Sequence, residues 1–109
     1  MTDKIVILST CESEERAAQI ARRLVDQRLA ACVNIHPKVR SIYRWKDAIE
    51  DASEWMLVIK SRRDLVPSIR TEIEKIHSYE VPEMIALAVV DGSESYLEWL
   101  DRELVPATV

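Results

Sequence analysis

Glycine is almost absent from this chain: among its 109 residues only Gly92 is a glycine. Glycine-rich loops bring backbone N–H groups against phosphate, so the sequence excludes the GxGxxG and P-loop routes to nucleotide binding. It also has no CxxC, HxxxH or HExxH spacing, which leaves a preformed structural zinc site without support. Its two cysteines, Cys11 and Cys32, are too few for a disulfide scaffold.

Excess positive charge and long apolar runs are also missing. Lysine and arginine number 15 against 19 aspartate and glutamate, and a net charge of -4 opposes nonspecific binding to nucleic acid or anionic membranes. No stretch approaches the roughly 20 apolar residues of a membrane-spanning helix, and the N-terminus does not resemble a signal peptide. We therefore predict a single cytoplasmic domain over residues 1–109, with no nucleic-acid or membrane partner.

The hydrophobic pattern predicts four strands and three helices. Residues 4–9 are a nearly continuous apolar run, and residues 84–90 form a second one, as in strands buried on both faces. A first helix is capped by Ser13 and ends near Gln27. A long strand over 31–45, bent at Pro37, leads through a polar turn over 46–50 into a returning strand over 55–60. A second helix is capped by Asp64 and ends near His77, and a last helix has the capping-box pair Ser95 and Glu98.

This order of elements predicts the fold class. A βαββαβ order with an additional C-terminal helix suits an α+β, ferredoxin-like domain with an antiparallel sheet and the helices on one face. The other face of the sheet then needs a cover, and the natural candidate is a symmetric partner. The sequence therefore predicts an oligomer.

Few side chains are candidates for chemistry. His77 ends the second predicted helix, where it either interacts with the helix carbonyls or binds a metal ion together with Glu83. Cys32 begins the long strand and is expected to be buried and inert, whereas Cys11 is expected to be more exposed. Lys60 is expected at a solvated strand end, from which its charge can pair with Glu83.

Several spaced segments together resemble one known family. They are residues 29–35 (LAACVNI), 41–45 (SIYRW), 49–50 with Glu54, 79–83 (YEVPE) and 96–99 (YLEW). In this combination and order they are similar to the CutA divalent-cation tolerance family. The resemblance implies a ferredoxin-like subunit in a compact homotrimer, with the long hairpin strands pairing between subunits. It also implies a role in tolerance of copper or other divalent cations, without an agreed reaction.

The chain departs from the family pattern at the proposed copper site. The resemblance implies a cysteine and a pair of histidines where this chain has Ser9, Ile76 and His77. Only His77 matches, so soft sulfur and a second imidazole are missing. Asp47 stands where the family usually has glycine in the hairpin turn, a position that aspartate tolerates.

Two interpretations follow from the residues and the resemblance. In the first, the chain is a non-enzymatic homotrimer that binds divalent cations weakly in inter-subunit clefts, with His77 and Glu83 as ligands. In the second, it is a trimeric sensor or adaptor of PII-like architecture, without metal function, in which a cleft with Cys32, Lys60, Tyr79 and Glu83 holds a small anion or metabolite. A structural trimer that recruits another protein and an enzyme using Cys32 are less favoured.

Overall fold

The computed structural model describes residues 2–107 and has the predicted order of elements. The strands are β1 (Lys4–Cys11), β2 (Cys32–Trp45), β3 (Ala48–Arg62) and β4 (Ile85–Ala88), and the helices are α1 (Glu14–Asp26), α2 (Val66–Ile76) and α3 (Glu94–Glu103). None of the helices in this part of the chain is long and apolar enough to span a bilayer.

The four strands form one antiparallel sheet in the order β2-β3-β1-β4. Helix α1 connects β1 to β2 with β3 lying between them, and α2 connects β3 to β4 with β1 between them. Two interlocked split β-α-β units of this kind define the ferredoxin-like arrangement, so the predicted fold class is confirmed.

The hydrophobic core lies between one face of the sheet and the helices. Alternate residues of β1 and β3, such as Ile7, Leu57 and Ile59, are fully buried there against Ile20 and Ile69. The opposite face of the sheet, with the half-buried Val6 and Leu8 at its centre, is covered by no helix in the described part of the chain. We call this surface the open face.

A bulge in β2 changes which face its side chains occupy. The register shifts between His36 and Val39, at Pro37, as the position of the proline predicts. Before the bulge Val33 pairs with buried Ile59 on the helix side, whereas after it Val39 pairs with Glu54 on the open face. The sequence places Val33, Val39, Tyr43 and Trp45 in one phase, but the extra residue moves the last three to the other face.

The β2–β3 hairpin is longer and its turn is tighter than the sequence predicts. Residues 48–50, predicted as part of the turn, belong to β3, and only Lys46 and Asp47 connect the strands. Both have positive φ, 48° and 66°, as a two-residue type I′ turn requires. The hairpin continues the twist of its strands without the glycine that such turns favour.

Both predicted cap residues of the later helices are wrong. A 3₁₀ turn over Arg63–Leu65 precedes α2, and Asp64 accepts hydrogen bonds from the buried Arg62 guanidinium instead of capping the helix. Helix α3 begins at Glu94, so Ser95 lies inside its first turn. Asp64 is thus engaged by an ion pair instead of capping α2, and Ser95 is not a cap because α3 begins two residues earlier than predicted.

Strand β4 is not buried as predicted. It is limited to Ile85–Ala88, and all four of its residues are exposed. The strand lies at the edge of the sheet, where only β1 pairs with it and the open face has no cover within the described chain. Apolar residues on such a strand indicate a surface that another molecule covers.

Candidate functional site

The largest group of candidate side chains lines a cavity of about 590 Å³ between the hairpin and the connector that follows α2. We call it the carboxylate cavity. Its lining residues are Thr10, Ser41, Ile42, Tyr43, Trp45, Glu54, Tyr79, Glu80, Val81 and Glu83. The lining therefore includes three carboxylates and three aromatic rings, and it combines apolar surface with a few polar groups as ligand sites do.

The bulge and the strand register bring the hairpin residues into this cavity. After the bulge, Ser41 and Tyr43 lie on the same face of β2 as Val39. The register partner of Val39 is Glu54 of β3, so Glu54 lies on that face as well. Without the extra residue at Pro37, the same side chains would point to the helix side. The connector over residues 77–84, together with Thr10 of β1, supplies the rest of the lining.

Glu54 and Tyr79 form the central contact of the cavity. The phenol of Tyr79 donates a hydrogen bond of 2.7 Å to Glu54 Oε2, and Glu54 is only 5% exposed. Burial, followed by the hydrogen bond and the charge of Glu54, raises the pKa of Tyr79 well above its ordinary value of 10.0. Tyr79 therefore stays a neutral donor to Glu54 throughout the physiological range.

His77 anchors the connector at the end of α2. Its Nε2–H donates to the carbonyl of Thr10 at 2.7 Å, and its Nδ1 accepts from the backbone N–H of Tyr79 at 3.1 Å. The carbonyl of Thr10 is free for this bond because β4 pairs with β1 only as far as Leu8. Both ring nitrogens are thus used by backbone groups, and a metal ion would have to displace one of them.

The other two carboxylates are more accessible. Glu80 is an exposed side chain whose Oε2 lies 3.6 Å from Lys46 Nζ, and Glu83 is half-buried in the lining. The ammonium of Lys46 also lies 5.6 Å from the centroid of the Trp45 ring, within the range of a cation–π contact. The ammonium group of Lys46 therefore lies at the edge of the cavity.

Cys32 and Lys60 do not line the carboxylate cavity. The sequence predicted them in one cleft with Tyr79 and Glu83. They are register partners, and Lys60 Nζ donates to Asn34 Oδ1 at 2.5 Å rather than pairing with Glu83. Lys60 is six positions along β3 from Glu54, a separation of about 20 Å in an extended strand. A cleft with all four predicted residues would have to combine two chains.

Cys11 differs from its predicted environment. It is fully buried at the end of β1 rather than exposed, and its thiol donates to the carbonyl of Ser13 at 3.4 Å. Burial raises the pKa of the Cys11 thiol above its ordinary value. Cys32, expected to be buried, is only half-buried.

The described part of one chain holds no ready-made metal site. Residues 2–107 contain no group of three or more His, Cys, Asp and Glu side chains placed to hold one. Ser9 is fully buried on the helix side of β1, away from the open face on which Glu54 lies. The donors present therefore do not fit a tightly held resident metal ion, which needs a closed set of ligands.

Sequence reasoning missed most of the cavity. Glu54 entered only through the resemblance, and neither Tyr43 nor Trp45 was predicted as a site residue. One signal was present: Glu54 is a carboxylate directly before an apolar strand segment, where an unpaired charge is costly. The register that places Glu54 beside Tyr79 depends on contacts distant in sequence.

Known proteins share both the sequence pattern and the fold. A family profile described as CutA1 divalent ion tolerance protein matches residues 5–103. Protein CutA of Mus musculus is 47% identical over 93 residues, which are 85% of this chain and 52% of the mouse protein. The divalent-cation tolerance protein CutA of Thermus thermophilus is 43% identical over 95 residues, 87% of this chain and 92% of that protein.

A solved structure gives the same result. CutA of Xylella fastidiosa superposes with a TM-score of 0.92 at 39% identity, covering 95% of this chain and all of that one (100%). The chain spans about half the length of the mammalian relatives it matches, 52% for the mouse protein. Sequence and fold agree over nearly the whole chain, which therefore belongs to the CutA1 family of divalent ion tolerance proteins.

Proposed function

We propose that this chain is a non-enzymatic, cytoplasmic homotrimer that binds copper or other divalent cations weakly in clefts between its subunits. The observation that supports the cation site is that Glu54, Glu80 and Glu83 all line one cavity beside the uncovered open face, although the described residues of one chain do not place three of them around a single ion. Carboxylate oxygens bind divalent cations, and water or a neighbouring subunit would complete the coordination. Such binding is weak and reversible.

The apolar surface of the single chain supports assembly. Ile49 of the hairpin is 67% exposed, and Ile85 and Leu87 of the edge strand β4 are also exposed. Large exposed side chains along a hairpin and an edge strand are typical of a surface that is buried between subunits. The carboxylate cavity opens beside this surface, which supports a site completed by a second chain.

The sulfur and imidazole groups support a binding role over catalysis. His77 uses both ring nitrogens for backbone groups, and the thiol of Cys11 is buried with a raised pKa. A cysteine nucleophile needs a thiolate and a nearby base. The half-buried Cys32 contacts Asn34 Oδ1 at 3.9 Å rather than a histidine, and His77 is engaged by backbone groups. The imidazole of His77 becomes a metal ligand alongside Glu83 only when its Nδ1 releases the N–H of Tyr79.

Calorimetric titration with copper(II) and then zinc(II) tests the cation site, after sedimentation has established the oligomer mass. We expect saturable, weak binding that Glu83→Gln weakens by at least about tenfold, the scale on which ligand environments act on metal affinity. Glu50→Gln is the control, because it also removes one carboxylate, from a hairpin position outside the cavity lining. Binding that is unchanged in Glu83→Gln, or lost equally in Glu50→Gln, would overturn the proposed site.

The histidine is tested separately in the same titrations. If Nδ1 of His77 enters the coordination of copper, His77→Ala weakens copper binding more than zinc binding, because copper(II) favours nitrogen ligands more strongly. Equal losses for both metals would assign His77 to holding the connector, through Thr10 and Tyr79. Circular dichroism of each variant establishes that the fold is intact.

A second candidate function is the sensing of a small organic molecule. The cavity volume of about 590 Å³ and the aromatic side chains in its lining favour this alternative, because a bare metal ion uses neither. Saturable binding of an organic ligand, in a protein that does not respond to copper or zinc, would select it.

A further inference from the structure

A buried carboxylate without a cationic partner faces the carboxylate cavity. Glu54 is 5% exposed, and within residues 2–107 no lysine, arginine or histidine nitrogen lies within ion-pair distance of it. Its hydrogen bond from Tyr79 is a neutral contact and does not balance the charge. A carboxylate withdrawn from water favours a cation beside it, so the cavity is suited to a positively charged occupant.

The rest of the lining is suited to hydrocarbon. Tyr43, Trp45 and Tyr79 contribute rings, Ile42 and Val81 contribute aliphatic surface, and no lysine or arginine is among the lining residues. Aromatic faces attract organic cations through their quadrupoles and also cover the hydrocarbon part of a ligand. A hydrated metal ion makes no use of these groups.

The chain's own Lys46 shows how an alkylammonium is accommodated here. Its Nζ lies 3.6 Å from Glu80 Oε2 and 5.6 Å from the centroid of Trp45, so one ammonium contacts a carboxylate and a ring of the lining together. Both partners of the ion pair are about 70% exposed, at 71% and 69%. An exposed pair of this kind is weak and readily displaced by a ligand.

We propose that the carboxylate cavity binds a small organic ammonium, a protonated alkylamine with a short hydrocarbon chain. The ammonium group pairs with Glu54 and Glu83, and the hydrocarbon part packs against Tyr43 and Trp45. Lys46 competes for the edge of the site from within the chain. The inference rests on the same cavity as the proposed function, but it depends on the aromatic rings, which metal binding does not require.

The test is calorimetric titration of the assembled protein with butylammonium chloride, alongside butan-1-ol and sodium butyrate. These share the hydrocarbon chain but carry no charge or a negative one. We expect saturable binding of butylammonium only, weakened about tenfold by Glu54→Gln, which removes a charge-assisted hydrogen bond. Glu50→Gln, on the same strand but outside the lining, is expected to leave binding unchanged.

Lys46 and Trp45 give two further measurements. Lys46→Gln is expected to tighten butylammonium binding two- to threefold, about the effect of removing a weak surface competitor, whereas Lys38→Gln on the same hairpin leaves it unchanged. Both lysines have positive φ, so the pair is matched in backbone conformation. Trp45→Leu is expected to weaken butylammonium binding and leave copper binding unaffected.

The outcomes separate this inference from the proposed function. Copper binding without butylammonium binding, or equal binding of butan-1-ol, overturns the ammonium site and leaves the cation proposal standing. Butylammonium binding without any copper or zinc response overturns the metal proposal alone. Butylammonium binding that Glu54→Gln and Trp45→Leu leave unchanged places the ligand outside the cavity and also overturns the inference.

Discussion

At the residue scale, the properties of the site come from two groups whose environments differ from water. Glu54 is withdrawn from solvent and held by a single phenol, and the same contact keeps the proton on Tyr79. His77, two residues earlier, is held as its Nε2–H tautomer because a carbonyl accepts from one nitrogen and an N–H donates to the other. These contacts hold the connector beside the hairpin, where Glu80 and Glu83 also line the cavity.

The ionisation of Tyr79 is a direct test of this contact. The folded-state pKa of Tyr79 is raised above its ordinary value of 10.0. At pH 10 the folded wild type and folded Tyr79→Phe should therefore show the same phenolate absorbance, because Tyr79 is still protonated. The stabilisation from the neutral phenol is fully present below the unfolded-state pKa and is lost as pH rises through the folded-state pKa. Unfolding measured against pH should therefore show the wild type losing stability relative to Tyr79→Phe only above about pH 10.

The partner of Tyr79 provides the control. Glu54→Gln removes the negative charge beside the phenol and should lower the pKa of Tyr79 towards its ordinary value, while Glu50→Gln should not. A Tyr79 that ionises at its ordinary value in the folded wild type would contradict the contact with Glu54.

At the element scale, the hairpin determines the site. Its bulge at Pro37 turns one apolar set of side chains away from the core, and its turn places Lys46 beside Glu80. The turn is made without glycine, although Lys46 and Asp47 both have left-handed backbone conformations. Left-handed conformations are unfavourable for residues with a Cβ, so the turn retains some strain.

Asp47→Gly should relieve this strain. Glycine is the preferred second residue of a type I′ turn, so we expect the free energy of unfolding to rise by about 1 kcal/mol. The measurement is urea unfolding at a fixed protein concentration, because the stability of an oligomer depends on concentration. Asp47→Ala keeps the Cβ and should give no gain; a gain from alanine equal to that from glycine would contradict the explanation.

At the scale of the whole molecule, the single chain leaves its open face and edge strand uncovered. Val6 and Leu8 lie at the centre of that face, and Leu87 of β4 is the register partner of Val6. Helices cover the centre of the other face, where Ile7, Leu57 and Ile59 are fully buried, so the asymmetry of the sheet explains why that side forms the core and the open face remains available for assembly.

Leu87→Lys tests whether this face is buried between subunits. Leu87 is 48% exposed in the single chain, so a lysine is tolerated there, whereas a lysine buried in an interface is costly. We expect the sedimentation mass to fall from that of a trimer to that of one subunit, with the circular dichroism spectrum retained. Val25→Lys on α1 is the matched control at 43% exposure and should leave the mass unchanged.

A wild-type protein that sediments as a single subunit would contradict the homotrimer at once. A trimer that persists in Leu87→Lys would instead exclude the β4 region from the interface.

The sequence predicted the elements wherever local chemistry decides them. The apolar run of β1, the Ser13 cap of α1, the end of α2 at His77 and the irregularity at Pro37 are all confirmed, because side-chain periodicity and backbone restrictions act over a few residues. Asp64 and Ser95 were predicted wrongly as caps, because an ion pair of Asp64 with the nearby Arg62 and an earlier start of α3 competed with the predicted caps.

Which apolar set faces the core, and which residues meet in the carboxylate cavity, was decided only by the tertiary structure. One extra residue at the bulge reverses every later side chain of β2 and brings Ser41 and Tyr43 to the face of Glu54, whose hydrogen-bond partner Tyr79 is 25 positions away in the sequence. Periodicity identifies a strand but does not specify its register, since pairing depends on the partner strand. By itself, therefore, the sequence determined the order of the elements and the family, and long-range pairing decided the site.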